Sequence, residues 1–448
     1  MGLPPALRAL TTLLALGLAA SLPAAEPVPL GPCGPLDRPY DVVQLLGGQL
    51  RHLGKVPIAR LGLLAFRNGH VAPIPFQVDE RTGSKLALPE GPEPTRDDPA
   101  DVLDADDLVV FMACDAGEQG NASALEAFLG TAGLTAWREV RVEDAFHHTA
   151  GFVYLINADH PPVTDRRYVA YEPRGDLVTA ARYRVGLVHA LPTYFALAEQ
   201  GSPGPNLIDG LRLRAEATLR ADLAHWTLNE QQGHHELIAW KAGAVRVIRR
   251  SRHQVDIGLG VRLTAGLAHT YFYAQRVFGP GSLKLPFSPG LLFKDIRAMG
   301  GADGRDLHGW HYHSVGTPAK GFLIDGHTDA AEGAFDARGD WFVLAGHDAA
   351  LLFVTRLSEN LARAIPLRLV YRDDATRPYP PETIPGTVPL VGYEGRGVER
   401  LAAGRYTFEL HVLILGPYHP GDEKHLIGEI DTPLTAAVTA AGPAGNAP

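Results

Sequence analysis

A dense group of histidine and aromatic residues lies between residues 308 and 313 and reads His-Gly-Trp-His-Tyr-His. If this segment is a strand, His311 and His313 point to the same side. Histidine and tyrosine can exchange protons with a bound substrate, so we predict His311, Tyr312 and His313 as catalytic residues. The flat indole of Trp310 is suited to stacking on a sugar ring, and we predict that it binds substrate.

Two other interpretations of this histidine group remain open. Together with His327 or His347, the imidazoles of His311 and His313 provide the donor atoms that Zn²⁺ or Cu²⁺ prefers. Alternatively, the group is a polar, partly exposed loop in a chain that contains 19 histidines.

Arginines concentrate in the middle third of the chain. From residue 211 to residue 220, apolar and polar residues alternate, which indicates a strand with one buried and one solvated face. Because a guanidinium holds a carboxylate through two parallel hydrogen bonds, we predict that Arg212, Arg214 and Arg250 bind an acidic substrate. The alternative is that these arginines form ordinary surface ion pairs, each contributing about 0–1 kcal/mol.

An acidic loop precedes a strongly apolar segment that begins at Leu108. Asp104, Asp106 and Asp107 provide the oxygen ligands that Ca²⁺ prefers, and we predict them as a metal site. The alternative is a charged turn in which the carboxylates accept hydrogen bonds from local backbone amides.

Two short motifs link this acidic loop to a known group of proteins. The first is Pro-Phe-Gln-Val-Asp at residues 75–79, and the second is Asp-Ala-Asp-Asp-Leu-Val-Val-Phe at residues 104–111. Over residues 73–118 the chain resembles secreted, largely uncharacterised bacterial proteins that are similar to exo-acting rhamnogalacturonan lyases. The resemblance implies a mutarotase-like β-supersandwich and a polysaccharide or oligosaccharide ligand. It assigns no catalytic residue, and Leu108 stands where those proteins usually carry another acidic residue.

The first residues of the chain have the features of a secretory signal. Arg8 precedes an apolar run, and small residues follow it at Ala24 and Ala25. This order predicts a signal peptide over residues 1–25 and a periplasmic or secreted protein. We find no later segment apolar enough to cross a membrane. In an oxidising compartment Cys33 and Cys114 can form a disulfide, and two unpaired thiols are the alternative.

Short apolar or alternating segments, bounded by Gly, Pro, Asp or Asn, predict a mostly β protein. We expect a small N-terminal β-sandwich over residues 26–160 and a large antiparallel β-supersandwich over residues 175–435, joined by a polar linker. Two short helices are predicted, over Ala122–Phe128 and Thr193–Gln200. Residues 436–448, rich in Ala, Gly and Pro, are predicted as a disordered tail.

Composition narrows the possible functions. A formal net charge of −9 argues against non-specific binding to nucleic acid, which requires a basic surface. The sequence favours a carbohydrate-active protein, a lyase or hydrolase acting on an acidic polysaccharide. A non-catalytic envelope protein that binds a glycan or a protein, and a periplasmic metal-binding protein, are the alternatives. Whether the protein is an enzyme stays open at this point.

Overall fold

The computed structural model describes residues 26–53, 55–199, 202–220, 224–256, 262–377 and 384–442. The predicted signal peptide lies outside the described residues. Strands dominate the structure, in agreement with the predicted fold class. The strands are β1 (Val42–Leu46), β2 (Val56–Pro57), β3 (Leu61–Arg67), β4 (His70–Pro73), β5 (Phe76–Asp79), β6 (Arg81–Thr82), β7 (Lys85–Leu86), β8 (Val102–Leu103), β9 (Leu108–Met112), β10 (Leu134–Asp144), β11 (Thr149–Ala158), β12 (Val169–Glu172), β13 (Leu177–Ala180), β14 (Tyr183–Val188), β15 (Leu191–Glu199), β16 (Ser202–Pro203), β17 (Ile208–Leu219), β18 (His225–Leu228), β19 (Gly233–Ala242), β20 (Val247–Asp256), β21 (Arg262–Phe272), β22 (Arg276–Leu285), β23 (Phe293–Gly304), β24 (His311–His313), β25 (Phe322–Leu323), β26 (Trp341–Ala345), β27 (Ala350–Leu357), β28 (Leu367–Arg372), β29 (Leu390–Arg396), β30 (Gly404–Leu415) and β31 (Thr435–Gly442). The α-helices are α1 (Ala122–Leu129), α2 (Ala330–Gly333), α3 (Glu359–Ala364) and α4 (Asp422–Asp431).

Two antiparallel sheets form a small sandwich. Their strand orders are β1-β9-β5 and β31-β10-β11-β3-β4. Phe111, Val153 and Leu155 are fully buried between the two sheets. Helix α1 packs on the outer face of the larger sheet. It begins after Asn121, whose side chain accepts a hydrogen bond from the backbone N–H of Ala124 at 2.7 Å, and this cap explains where the predicted helix starts.

A nine-stranded sheet, with the order β19-β20-β21-β22-β30-β27-β26-β24-β25, forms the base of a large sandwich. Two five-stranded sheets share one apolar core with it, and their orders are β12-β13-β14-β15-β16 and β18-β17-β23-β29-β28. In β14, Tyr183, Val185 and Leu187 are buried and alternate with more exposed neighbours, as expected of a strand with one face in a core. On its other face the nine-stranded sheet carries α4.

The first motif of the sequence resemblance lies where the two sandwiches meet. The Oε1 atom of Gln77 accepts hydrogen bonds from the backbone N–H groups of Val245 and Arg246, at 3.0 and 2.9 Å. Asp79 is fully buried and accepts a hydrogen bond from Nε of Arg246 at 2.7 Å. Burial raises the pKa of Asp79, but the charges of Arg246 and Lys241 outweigh burial and hold the pKa below its usual value. These residues therefore join the two sandwiches, and they form no accessible site.

The structure corrects two of the predicted segments. The predicted tail is not disordered between residues 436 and 442, because β31 pairs with β10 and completes the larger sheet of the small sandwich. The predicted helix near residue 195 is instead the strand β15, which pairs with β14. Thr193, Tyr194 and Phe195 favour strands, and this local preference agrees with the observed structure.

Cys33 and Cys114 form a disulfide, with their Cα atoms 4.3 Å apart, so the predicted pairing is confirmed. In the chain-entropy model, closing a loop of this length stabilises the fold by about 4–5 kcal/mol. Within the described residues, no helix is both long enough and apolar enough to span a membrane.

Candidate functional site

The predicted catalytic residues lie on β24 but do not form one site. His311 and His313 share a side of the strand, with their ring centroids 6.3 Å apart. Tyr312 points to the opposite side and is fully buried, stacked against Phe342 and Tyr371 with centroid distances of 5.5 and 4.4 Å. Burial raises the pKa of Tyr312 well above its usual value. The structure therefore does not bring the Tyr312 hydroxyl together with the two histidines, because it points into the core.

The other residues near Tyr312 in the sequence also lie in different surroundings from those predicted. His313 is buried and packs against Tyr418, with ring centroids 5.1 Å apart. The Trp310 indole packs on the core and covers Gly346, where an added Cβ would lie 2.8 Å from the ring. In the part of the chain that the structure describes, neither His327 nor His347 joins this group as a metal ligand.

Two of the predicted substrate-binding arginines lie on β17. Arg212 is buried and donates hydrogen bonds to the carboxylates of Asp209 and Asp303, at 3.0 and 2.8 Å. Arg214 forms an ion pair with Glu230. Both guanidinium groups therefore have carboxylate partners within the protein.

The third arginine, Arg250, belongs to a different sheet. It donates hydrogen bonds to the backbone carbonyl of Leu86 and to Nε2 of His269, at 2.7 and 2.9 Å. The predicted substrate site of three arginines is thus not assembled.

In the acidic loop, the structure brings together a different set of aspartates from the predicted set. Carboxylate oxygens of Asp97, Asp104 and Asp107 lie within 4.8 Å of one another. Asp106 instead accepts a hydrogen bond from the backbone N–H of Gly83. Asp107 is buried and accepts a hydrogen bond from the backbone N–H of Asp104 at 2.9 Å, while burial raises the pKa of Asp107 to about 6. Calcium binding at this loop stays a prediction.

The large sandwich contains an apolar cavity of 310 Å³. One wall is formed by β20, β21, β22, β26, β27 and β30 of the nine-stranded sheet, and the other by β14, β15, β17, β23 and β29. Leu187, Phe195 and Val391 line one wall, and Phe272 and Leu351 line the other. Among the described residues, none that lines the cavity is an acid, a lysine or an arginine. The cavity therefore has the size and apolar lining of a site for a small ligand.

Small side chains leave this space open. Gly279 on β22 and Ala302 and Gly304 on β23 line the cavity. A Cβ added to Gly279 would meet no atom within 4 Å. A larger residue at Gly279 would extend into the space between the sheets, whereas a Cβ added to Gly304 would lie 2.7 Å from Leu307.

A chain of hydrogen bonds forms the polar end of the cavity. Ser251 and His253 are two residues apart on β20 and therefore share a face, and both line the cavity. The Ser251 hydroxyl lies 2.7 Å from Nε2 of His253. His235, the cross-strand partner of His253, places its Nδ1 atom 2.6 Å from Nδ1 of His253. Hydrogen bonds thus connect Ser251, which lines the cavity, through His253 on β20 to His235 on β19. We call these three side chains the Ser251–His253–His235 relay.

Burial keeps this relay uncharged at neutral pH. It lowers the pKa of His253 to about 4, with a further contribution from His235. Burial also lowers the pKa of His235. In one tautomer His253 donates from Nδ1 to His235 and accepts the hydroxyl proton of Ser251 at Nε2, the arrangement that makes a serine nucleophilic. In the other tautomer His253 donates a hydrogen bond to Ser251.

Reasoning from the sequence missed this site. The segment around Ser251 was predictable as a strand, and the spacing of Ser251 and His253 places both on one face. His235 is adjacent to His234 in a fragment that resembles a zinc-protease motif without its second histidine. The sequence alone does not show that β19 pairs with β20, because this pairing depends on the tertiary fold.

The sequence matches no model of a protein family and no curated protein. The structure is similar to an alpha-mannosidase from Enterococcus faecalis V583, with 10% sequence identity and a TM-score of 0.46, over 91% of this chain and 45% of that chain. It is also similar to a protein in glycosyl hydrolase family 38 from Enterococcus faecalis, with 9% identity and a TM-score of 0.46, over 90% of this chain and 46% of that chain. This chain thus spans less than half the length of either protein.

Proposed function

We propose that the protein is a periplasmic or secreted binding protein whose large sandwich holds a ligand with a long apolar chain and one hydrogen-bonding end. The observation that carries this proposal is the apolar cavity. Its 310 Å³ of space is lined mainly by apolar side chains from both walls. Apolar pockets of this size are typical sites for small ligands.

The polar end of the cavity favours one type of ligand. A neutral relay can donate or accept one hydrogen bond but carries no charge to bind a polyanion. Its low pKa values keep His253 and His235 neutral under ordinary conditions. An acyl chain that ends in a carboxyl, ester or hydroxyl group has both features: an apolar body and a single polar end.

Two observations support the compartment in this proposal. The sequence begins with the features of a signal peptide, and Cys33 and Cys114 are disulfide-bonded. Disulfides persist mainly in oxidising compartments such as the periplasm.

Binding is tested with a fluorescent polyunsaturated fatty acid and with dodecanoic acid as its competitor. Gly279→Phe places a ring in the cavity, and we expect at least a tenfold loss of affinity with no loss of thermal stability. Val188→Phe adds the same ring at an exposed position, and it leaves affinity unchanged. Equal affinity in Gly279→Phe, or no saturable binding by the unmodified protein, would contradict the proposal.

The contact between Ser251 and His253 favours a second function, hydrolysis of an ester bound in the cavity. In this reaction the Ser251 oxygen attacks the carbonyl carbon while His253 accepts the hydroxyl proton, and the ester C–O bond breaks as the alcohol leaves with that proton. Water then attacks the acylated Ser251, which releases the carboxylic acid and restores the hydroxyl. Turnover of p-nitrophenyl octanoate is expected to disappear in Ser251→Ala, whereas the unchanged apolar walls still bind the fatty acid with an affinity reduced by the loss of one hydrogen bond. If the unmodified protein binds the fatty acid but does not turn over the ester, binding stands alone.

Action on an acidic polysaccharide, as a lyase or a hydrolase, stays a prediction from the sequence resemblance. Its supposed residues are Trp310, His311 and the arginines, which do not converge on one site. A panel of polysaccharides, monitored for the ultraviolet absorbance of unsaturated uronates and for reducing ends, tests it directly.

A further inference from the structure

Three side chains from two separate elements meet outside the cavity. His147 lies in the turn between β10 and β11, while His425 and Glu429 lie one helical turn apart on α4. The Nε2 atoms of His147 and His425 are 2.9 Å apart. The Oε1 atom of Glu429 is 3.5 Å from Nε2 of His147 and 3.4 Å from Nε2 of His425. The three atoms thus form a small triangle.

The size of this triangle matches a metal centre. Ligand atoms at about 2.0–2.1 Å from a tetrahedral zinc ion lie about 3.3 Å from one another. The observed separations of 2.9, 3.4 and 3.5 Å bracket that value. Two imidazoles and one carboxylate also make a donor set that zinc uses in catalytic sites, with the fourth position left for water.

A second set of contacts orients His147 for this role. Its Nδ1 atom lies 2.6 Å from Oδ2 of Asp144. The other carboxylate oxygen of Asp144 accepts hydrogen bonds from Arg38 at 3.0 Å and from the backbone N–H of Phe146 at 3.0 Å. Since a carboxylate only accepts, Nδ1 of His147 donates to Asp144, and this hydrogen bond turns the Nε2 atom toward the triangle. A carboxylate behind a ligating histidine is the usual outer shell of a zinc site.

The triangle is open on one side. Glu429 is buried, whereas His147 is partly exposed and His425 more than half exposed. The buried guanidinium of Arg38 lies near the same carboxylate, with its Nε atom 3.9 Å from Oε1 of Glu429. A metal ion held by the three atoms would keep an open side toward solvent.

We infer that His147, His425 and Glu429 bind one divalent transition-metal ion, with zinc the metal that the donor set suits best. The ion links α4, which packs on the nine-stranded sheet, to the β10–β11 turn of the small sandwich. The site is separate from the cavity, and its proposal does not depend on the proposed function.

The test uses protein purified without a polyhistidine tag and stripped of metal with a chelator. Titration with zinc against a competing metal indicator is expected to give one ion per chain. At about 100 times the dissociation constant, zinc should raise the melting temperature by about 3 °C.

His425→Ala and Glu429→Gln are expected to weaken zinc binding at least tenfold. His425 is largely exposed, so its replacement leaves the fold intact, and circular dichroism checks this. His347→Ala removes an exposed histidine next to an aspartate, and it serves as the matched control with unchanged affinity. Equal zinc affinity in His425→Ala and the unmodified protein, or no stoichiometric binding by the latter, would overturn the inference.

Discussion

The two sandwiches differ in how completely their interiors are filled. In the small sandwich, Phe111, Val153 and Leu155 are fully buried, and a Cβ added to Gly151 would lie 2.8 Å from Ala116 and 3.0 Å from Leu36. In the large sandwich, the same addition to Gly279 meets nothing within 4 Å. Both interiors arise from the same alternation of apolar side chains. The difference lies in side-chain size: the interior of the small sandwich is filled, whereas small residues leave a cavity in the large one.

The contact that joins the two sandwiches offers the strongest way to break this arrangement. Asp79→Ala leaves the buried guanidinium of Arg246 without its carboxylate, and we expect the free energy of unfolding to fall by about 3–5 kcal/mol. Urea unfolding measures the change.

The double variant Asp79→Leu/Arg246→Met removes both charges and serves as the control. It should recover most of the lost stability, because a buried ion pair and apolar residues of similar size are often equivalent. If the single variant unfolds at the same urea concentration as the unmodified protein, the two sandwiches are not held together by this pair.

A matched pair of glycine substitutions tests the difference in filling. Gly151→Ile forces a side chain into the filled core of the small sandwich and is expected to cost about 1–3 kcal/mol. Gly279→Ile places the same side chain in the cavity and is expected to be neutral or stabilising by up to about 1 kcal/mol, since isoleucine also favours strands. Melting temperatures of the two variants compare the interiors directly. Equal destabilisation by both variants would mean that the large sandwich has no cavity at this position in solution.

One buried group in each sandwich should also change its contribution to stability with pH, in opposite directions. Burial lowers the pKa of His253 in the large sandwich to about 4 from an ordinary value of 6.5. The unfolded chain therefore binds this proton first, and the contribution of His253 to stability is lost as the pH falls from 6.5 to 4. Burial raises the pKa of Asp115 in the small sandwich to about 6, so its contribution is largest at low pH and is lost as the pH rises through 6.

Urea midpoints at pH 7.5 and pH 5 separate the two effects. When the pH is lowered from 7.5 to 5, the free energy of unfolding of His253→Gln should fall less than that of the unmodified protein. That of Asp115→Asn should fall more. Each difference is expected to be on the order of 1 kcal/mol after solvent screening. The same pH dependence in all three proteins would show that neither group is buried as described.

The sequence predicts the fold well where local patterns decide it. Alternating residues predict the strands and the cap at Asn121 agrees with the start of α1, while the paired cysteines form the expected disulfide. The candidate site was less predictable. The sequence predicts a catalytic Tyr312 because histidines flank it. On a strand, however, its side chain points away from theirs and into the core. No local sequence pattern predicts the two other groups. Each combines residues from elements that meet only in the tertiary structure: the Ser251–His253–His235 relay, and the triangle of His147, His425 and Glu429.

The pairing of β31 with β10 has a consequence for how the chain matures. The small sandwich is built from residues near the start of the described chain and closed by residues 435–442. During synthesis, the edge of β10 stays open until residues 435–442 have been made. The larger sheet of the small sandwich is therefore completed only after the strands of the large sandwich have been synthesised.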